Sequence, residues 1–346
     1  MSENKHIYCP NPYILAEIMP FGEVYPCSCG WIRGYSFGNI FKQSFDEIWN
    51  GERAKEFRQK LYDNDFSLCP GCQNLEILAE IQDKEPKLIS EPPERILLGL
   101  DEFCDVRCIF CRPNDYKINP NLIPEDKKDK LLEILTPWLK NAKYVKTNAV
   151  GEVFASKISR DLIRDIANNF PNVKFEIITN GIQCTKENIE KLNLTDKISM
   201  ITVSLHAWKE ETYNKLVNGG NYKKVIENMK YLSELKKAGK IERFEIHFTV
   251  TSLNYKEIPD MLKFCRELDA KIRLLGLDCS RDLEKLYKEI NIQDRNHPEY
   301  NKLVKIAHSK EFLEAKDIVI QGHDYFVGLE PIPFFEKLKN KFKKKN

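Results

Sequence analysis

Three cysteines fall within eight residues, Cys104, Cys108 and Cys111, spaced C-x3-C-x2-C in CDVRCIFC directly after the apolar run 96–101. Three packing thiols in a strand-to-helix turn would be the bland explanation, but nothing about packing asks for such crowding. Three thiolates in one short loop can each hold one iron of a four-iron cluster and leave the fourth iron open to another ligand. Structural zinc normally wants four closed ligands, and no fourth Cys or His lies beside the loop. The chain holds eleven cysteines in 346 residues, and eight of them sit at short spacings. The opening MSENKHIYCPNPYI lacks an apolar signal core, and no apolar stretch approaches the roughly 18 to 20 residues that cross a bilayer. The expectation is therefore a cytoplasmic protein with no membrane partner, whose cysteines bind metal rather than form disulfides.

Lys and Arg total 54 against 52 Asp and Glu, a formal net charge of +2, so no global basic field recruits nucleic acid. A composition 42% hydrophobic and 31% charged is that of a folded globular chain. Residues 1–80 read as a cysteine-bearing region with a helix over 45–62. The polar, proline-bearing stretch 81–94 reads as a linker. From 95 to 280, short apolar runs alternate with amphipathic segments, which predicts βα units and a mainly parallel sheet. Six strands are expected, at 96–101, 144–148, 174–179, 200–205, 244–251 and 271–277, forming an α/β partial (β/α)6 TIM-like barrel with its site at the strand C-termini. Residues 281–346 read as a mainly helical extension with a short strand at 318–320 and a basic end, KLKNKFKKKN, that frays into solvent.

At the three-cysteine loop the sequence resembles the radical SAM superfamily, whose first-strand loop has this spacing and an aromatic residue, here Phe110, before the last cysteine. The resemblance implies that S-adenosylmethionine chelates the open iron through its amino and carboxylate groups. One electron then cleaves the sulfonium, and a 5′-deoxyadenosyl radical abstracts hydrogen from substrate. It also assigns cofactor contacts at successive strand ends. Gly151 and Glu152 match the segment that binds the methionine ammonium, with Val150 where a glycine is usual. Thr179, Asn180 and Gly181 end the third strand, and Ser204 and His206 the fourth, where polar groups meet ribose and carboxylate. His206 equally suits a satisfied surface histidine. The segment ETYNKLVNGGNYKKVIENMKYL resembles the peptide-modifying branch, and Asn254 in VTSLN matches a recurring position after the fifth strand.

Cys9, Cys27, Cys69 and Cys72 form a second set, C-x12-G-x4-C followed at a distance by C-x2-C. With FGEVYPC, Gly38 to Ile40 and SFDEIW, residues 9–75 resemble the SPASM and twitch class of auxiliary-cluster domains. Here, however, the domain precedes the barrel, and its cysteines suit one four-iron cluster rather than two. Four bound sulfurs leave no iron open, which favours electron relay or structural support. Cys29 is an alternative ligand, and zinc held by Cys27, Cys29, Cys69 and Cys72 is an alternative site.

Cys265 lies on an amphipathic helix and reads as core. Cys184 and Cys279 fall near the expected mouth of the barrel, where Cys279 is a candidate hydrogen donor to a substrate radical. The resemblance implies an enzyme that oxidises or otherwise modifies a peptide residue, reduced by a flavodoxin or ferredoxin. A dehydrogenase or epimerase acting on a sugar or other small polar metabolite is the alternative. A nonenzymatic metal-stabilised binding or regulatory protein is the alternative of another class.

Overall fold

The computed structural model describes residues 9–28, 32, 34–69, 72, 88–99, 101–112, 117, 119, 122–147, 151–277 and 283–332. Its strands are β1 (Leu15–Ile18), β2 (Glu23–Tyr25), β3 (Gly38–Asn39), β4 (Arg95–Leu98), β5 (Arg107–Cys108) and β6 (Tyr144–Thr147). They continue as β7 (Lys174–Thr179), β8 (Ile198–Ser204), β9 (Val217–Asn218), β10 (Ile241–Thr249), β11 (Lys271–Leu275) and β12 (Val319–Gln321). The chain divides into two compact units. The first holds residues 1–103, 118–177 and 191–197, and the second 104–117, 178–190 and 198–346. The fold is α/β, with helices separating successive parallel strands.

In the first unit β4 pairs in parallel with β6, and β6 with β7. On the other side of β4 lies β1, also parallel, registering Ala16 with Ile96 and Ile18 with Leu98. β2 and β3 follow β1 antiparallel, so the hairpin expected at FGEVYPC is built onto the same sheet. Ser156 caps the helix Lys157–Asn169 by accepting the Ser159 N–H, and the helix buries Leu162, Ile163, Ile166 and Ala167. These positions recur at four-residue spacing and make one apolar face, each large side chain contributing about 1.5–3 kcal/mol by leaving water.

The expected single helix 45–62 is two, Phe45–Trp49 and Glu52–Tyr62. A reciprocal Ser44–Glu47 capping box starts the first. Between them a Cβ on Gly51 would lie 2.0 Å from the Glu47 carbonyl oxygen, so the chain turns there on glycine. Residues 88–94 are pinned. Trp49 Nε1 donates to the Glu91 carbonyl at 2.7 Å, and the Ser90 hydroxyl donates to the Tyr13 carbonyl at 2.9 Å.

In the second unit β8, β10 and β11 are parallel neighbours, and β12 extends them beyond β11. One face is apolar, with Ile201, Val203, Phe244, Ile246, Phe248, Ile272 and Leu274 at most 2% exposed. The other face is polar. Across it Thr202 registers with Glu245, Ser204 with His247 and His247 with Arg273. All six expected strands form. The short strand expected at 318–320 is β12, parallel to β11. The strand β1, parallel to β4, was not expected, because it is four residues inside the cysteine region and its partner lies some eighty residues away. Among the described residues no helix is long and apolar enough to cross a membrane.

Candidate functional site

The cysteine loop of the second unit is held from two directions. β5 pairs antiparallel with β9, placing Cys108 opposite Val217, and the Ile109 N–H donates to the Leu216 carbonyl at 3.0 Å. The segment around Asn218, Gly219 and Gly220 is therefore a clamp on the loop. Gly219 sits at φ +80°, and a Cβ on Gly220 would lie 2.5 Å from the Tyr213 ring. From the exit of β7, the Asn180 carboxamide donates to Asp105 Oδ1 at 2.7 Å and reaches the Cys104 sulfur at 4.0 Å. Its oxygen accepts the Ile182 N–H at 2.9 Å. The carboxamide thus ties the exit of β7 to the cysteine loop. Cys104 and Cys108 are half-buried and Cys111 is exposed, so the loop keeps one open side.

The turn that carries Asn180 is itself braced. The Thr179 hydroxyl accepts the Gly181 N–H at 3.0 Å, and Gly181 adopts φ +83°. Asn228 donates to both the Gly181 and Ile182 carbonyls, at 2.8 and 3.0 Å. Sequence reasoning passed over Asn228 and Asp105. Asn228 had a signal, because it stands on the apolar face of the helix Tyr222–Lys237 beside Val225, Met229 and Leu232.

Ser204 ends β8, and two residues later His206 takes φ +60°. That conformation is strained for a non-glycine residue and marks a place where the surroundings dictate the backbone. Asn254 supplies the constraint, donating to the His206 and Thr249 carbonyls at 2.7 Å each while its oxygen accepts the Thr251 N–H. His206 is buried rather than a surface residue. Burial, with a contribution from His247, holds its pKa down to about 3, so the ring is neutral. The Thr249 N–H donates to Nδ1 at 3.1 Å, which places the ring proton on Nε2. Phe110, the aromatic residue of the cysteine loop, meets this ring edge to face at 5.0 Å. Within the second unit the cysteine loop thus meets Asn180 at Cys104 and His206 at Phe110.

In the first unit, Gly151 crosses the exit of β4. A Cβ there would lie 2.5 Å from the Asp101 carbonyl and 2.6 Å from that of Phe103, so only glycine allows the approach. The Glu152 N–H donates to the Phe103 carbonyl at 2.7 Å, and its carboxylate, 3% exposed, accepts the Phe154 N–H at 3.3 Å. Asp101 is fixed by the Phe103 N–H and the Ser156 hydroxyl. Val150 and Cys279 lie outside the described residues.

Also in the first unit, Cys9, Cys27, Cys69 and Cys72 line a single pocket. Its remaining walls are mostly apolar, including Ile32, Phe57 and Leu61. Burial, reinforced by neighbouring thiols, pushes Cys9 up to about 11 and Cys69 up to about 12. Such thiols keep their protons until a metal displaces them. Asn11 approaches two of the four, its N–H hydrogen-bonding Cys9 and its carboxamide the Cys27 sulfur at 3.6 Å. Among the described residues no three His, Cys, Asp or Glu side chains converge on a point fit for a single metal ion. Cys29 lies outside the described residues. The donor chemistry of both cysteine sets, soft sulfur only, fits iron–sulfur ligation.

A parallel α/β fold with a three-cysteine loop after one strand, plus four cysteines around a separate pocket, defines an iron–sulfur protein with two sulfur sites. Family comparison gives the same division. Residues 100–265 match the radical SAM superfamily, and residues 9–73 match SPASM, an iron-sulfur cluster-binding domain. Together the matches account for about two thirds of the chain. The chain belongs to the radical SAM superfamily and carries a SPASM auxiliary domain ahead of its radical SAM domain. Its cofactors are accordingly a four-iron cluster with S-adenosylmethionine, and an auxiliary four-iron cluster.

Among curated relatives, a probable GTP 3′,8-cyclase of Methanocaldococcus jannaschii is 25% identical over 188 residues, 51% of this chain and 57% of the relative. The FeMo cofactor biosynthesis protein NifB of Methanocaldococcus infernus is 28% identical over 194 residues, 50% of this chain and 63% of the relative. The chain spans just over half to three fifths of the length of the curated relatives it matches. Among solved structures, TYW1 with a lysine-pyruvate adduct aligns at TM-score 0.39 and 18% identity, covering 66% of this chain and 72% of that one.

Proposed function

We propose that this radical SAM enzyme acts on a small polar substrate, with Cys104, Cys108 and Cys111 holding the cluster that binds S-adenosylmethionine. The observation that carries the reading is the bracing of the cysteine loop, by β9 on one side and the Asp105–Asn180 pair on the other, while Cys111 stays exposed. When bound, the cluster and S-adenosylmethionine supply reductive cleavage of the sulfonium and a 5′-deoxyadenosyl radical that takes hydrogen from substrate. The chain's own residues bind and orient. Gly151 admits a close backbone approach, and the Glu152 carboxylate offers a charge-assisted partner for the methionine ammonium. Ser204 and the Nε2–H of His206 are donors toward the nucleoside portion, and Phe110 provides an apolar wall for it.

The polar sheet face supports the substrate class. Glu245, 1% exposed, is held by Arg273 Nε at 2.7 Å and neighbours Thr202 at 3.4 Å, with Ser204 and His247 one register step on. A face built this way suits a ligand rich in hydroxyl or charged groups. GTP 3′,8-cyclase, named among the relatives, acts on a molecule of that kind. The SPASM domain favours a second reading, modification of a peptide residue. Electrons would come from a flavodoxin or ferredoxin, and Cys279 stays a candidate hydrogen donor.

The test is anaerobic incubation of the reconstituted protein with S-adenosylmethionine, dithionite and panels of nucleotides, sugars and peptides. Deoxyadenosine should rise above its substrate-free level with a nucleotide or sugar. With the incubation run in heavy water, a two-dalton loss in that compound means oxidation, and uptake of one deuterium means epimerisation. Stimulation by peptides alone would move the assignment to the second reading, and no deoxyadenosine under any condition would remove both.

A further inference from the structure

Arg58 stands on the inward face of the helix Glu52–Tyr62, with Ala54, Phe57 and Leu61, and is 0% exposed. Its guanidinium lies 4.9 Å from the Trp49 ring centroid and 5.5 Å from that of Tyr13. Among the described residues every acceptor it reaches is neutral: the Pro12 carbonyl at 3.1 Å from Nε, and from Nη1 the Leu88 carbonyl at 2.8 Å and Asn50 Oδ1 at 3.4 Å. Nη2 has no hydrogen-bond partner, and no carboxylate pairs with Arg58 among the described residues. A fully buried cation normally comes with an anion, because leaving it alone in a low dielectric is costly.

The pocket of the four thiols is one residue away. Pro12, whose carbonyl accepts from Arg58, lines the pocket that Cys9, Cys27, Cys69 and Cys72 share. Asn11, the residue before it, directs its backbone N–H at Cys9 and its carboxamide at the Cys27 sulfur. A four-iron core ligated by four thiolates is an anion in both its redox states, and one-electron reduction adds another negative charge. A nearby cation in a low-dielectric interior and N–H donors on the sulfurs both favour the more negative, reduced state.

We infer that Arg58 and Asn11 raise the reduction potential of the auxiliary cluster. The inference rests on Cys9, Cys27, Cys69 and Cys72 being its ligands. In this role Arg58 is a charge-compensating residue that touches neither substrate nor S-adenosylmethionine. The position explains why an arginine occupies an otherwise apolar helix face.

The experiment is a dithionite potentiometric titration of the anaerobically purified full chain, followed by electron paramagnetic resonance, for wild type, Arg58→Met, Arg58→Lys and Asn11→Leu. Arg58→Met should cut the reduced-to-oxidised ratio of the auxiliary cluster at fixed potential by tenfold or more, a downward shift of at least about 59 mV. Arg58→Lys should restore most of it, Asn11→Leu should give a smaller shift of the same sign, and the other cluster's midpoint should stay put. A merely structural Arg58 would change iron content or stability and leave the midpoint of the assembled cluster alone. An unchanged midpoint in Arg58→Met with full iron content overturns the inference. Should Arg58→Met fail to assemble, an unchanged midpoint in Asn11→Leu overturns it instead. A wild-type protein with zinc or no second cluster would bring down the ligand assignment itself, a failure distinct from an unmoved midpoint.

Discussion

The two cysteine sites solve opposite problems. The four sulfurs of the first unit come from three separated stretches of chain and face a largely apolar pocket, where burial drives Cys9 up to about 11 and Cys69 up to about 12. The three sulfurs of the second unit come from one eight-residue loop with Cys111 exposed, and neighbouring asparagines and a short strand pair carry the burden of shape. A closed site gets its geometry from tertiary packing around the ligands. An open one must be stiffened from behind, because its front has to admit a ligand.

The largest expected effect comes from removing the open site. Replacing Cys104, Cys108 and Cys111 together with Ala should abolish deoxyadenosine formation while the auxiliary cluster's spectroscopic signal persists. Loss of both signals would mean that the sites do not assemble independently. The converse replacement, Cys9, Cys27, Cys69 and Cys72 with Ala, should remove product formation yet leave deoxyadenosine production under strong reductant, provided the variant folds. Product formation at the wild-type rate would reduce the first unit's site to a structural role.

Asn228→Ala probes the stiffening. It strips two buried carbonyls of their donor and should cost about 2–3 kcal/mol in urea unfolding, together with part of the iron bound by the cysteine loop. An equally stable variant would show that the turn at Gly181 needs no brace.

The smallest effect is a pH slope. His206 has a folded pKa near 3 against about 6.5 when unfolded. The unfolded chain therefore binds the extra proton first, and stability falls as pH drops below about 6.5, by at most about 1.4 kcal/mol per unit. In His206→Asn, a residue that tolerates the left-handed conformation, this part of the slope should vanish. Urea midpoints at pH 7 and 5.5 measure it, and identical slopes would mean that the ring is already solvated.

Much of this was readable before any coordinates. The cysteine spacing is local, and so are the 2- and 3.6-residue periods that place six strands and the helices between them. The cofactor contacts were harder. The resemblance places Asn180 among the cofactor contacts, but its carboxamide also faces Asp105 and Cys104, a pairing across some 75 residues that spacing cannot express. Asn228 and Arg58 left a fainter trace as polar residues on apolar helix faces. Such positions are worth marking, since a polar group retained in a core usually answers another buried group. His206 could not be placed from sequence, because its burial and backbone strain depend on Asn254, nearly fifty residues on.

The pairing of β1 with β4 has a consequence for how this chain is made and how it can be cut. Four residues near the start of the cysteine-rich region form a ladder with a strand that follows some eighty residues later. On the ribosome the β1 edge away from β2 must wait until β4 emerges, a delay of several seconds at roughly 5–20 residues per second. Deleting the first eighty residues would likewise do more than remove a module. It would uncover the backbone edge of β4, a template for pairing with other chains, and the shortened protein should aggregate where the full chain does not.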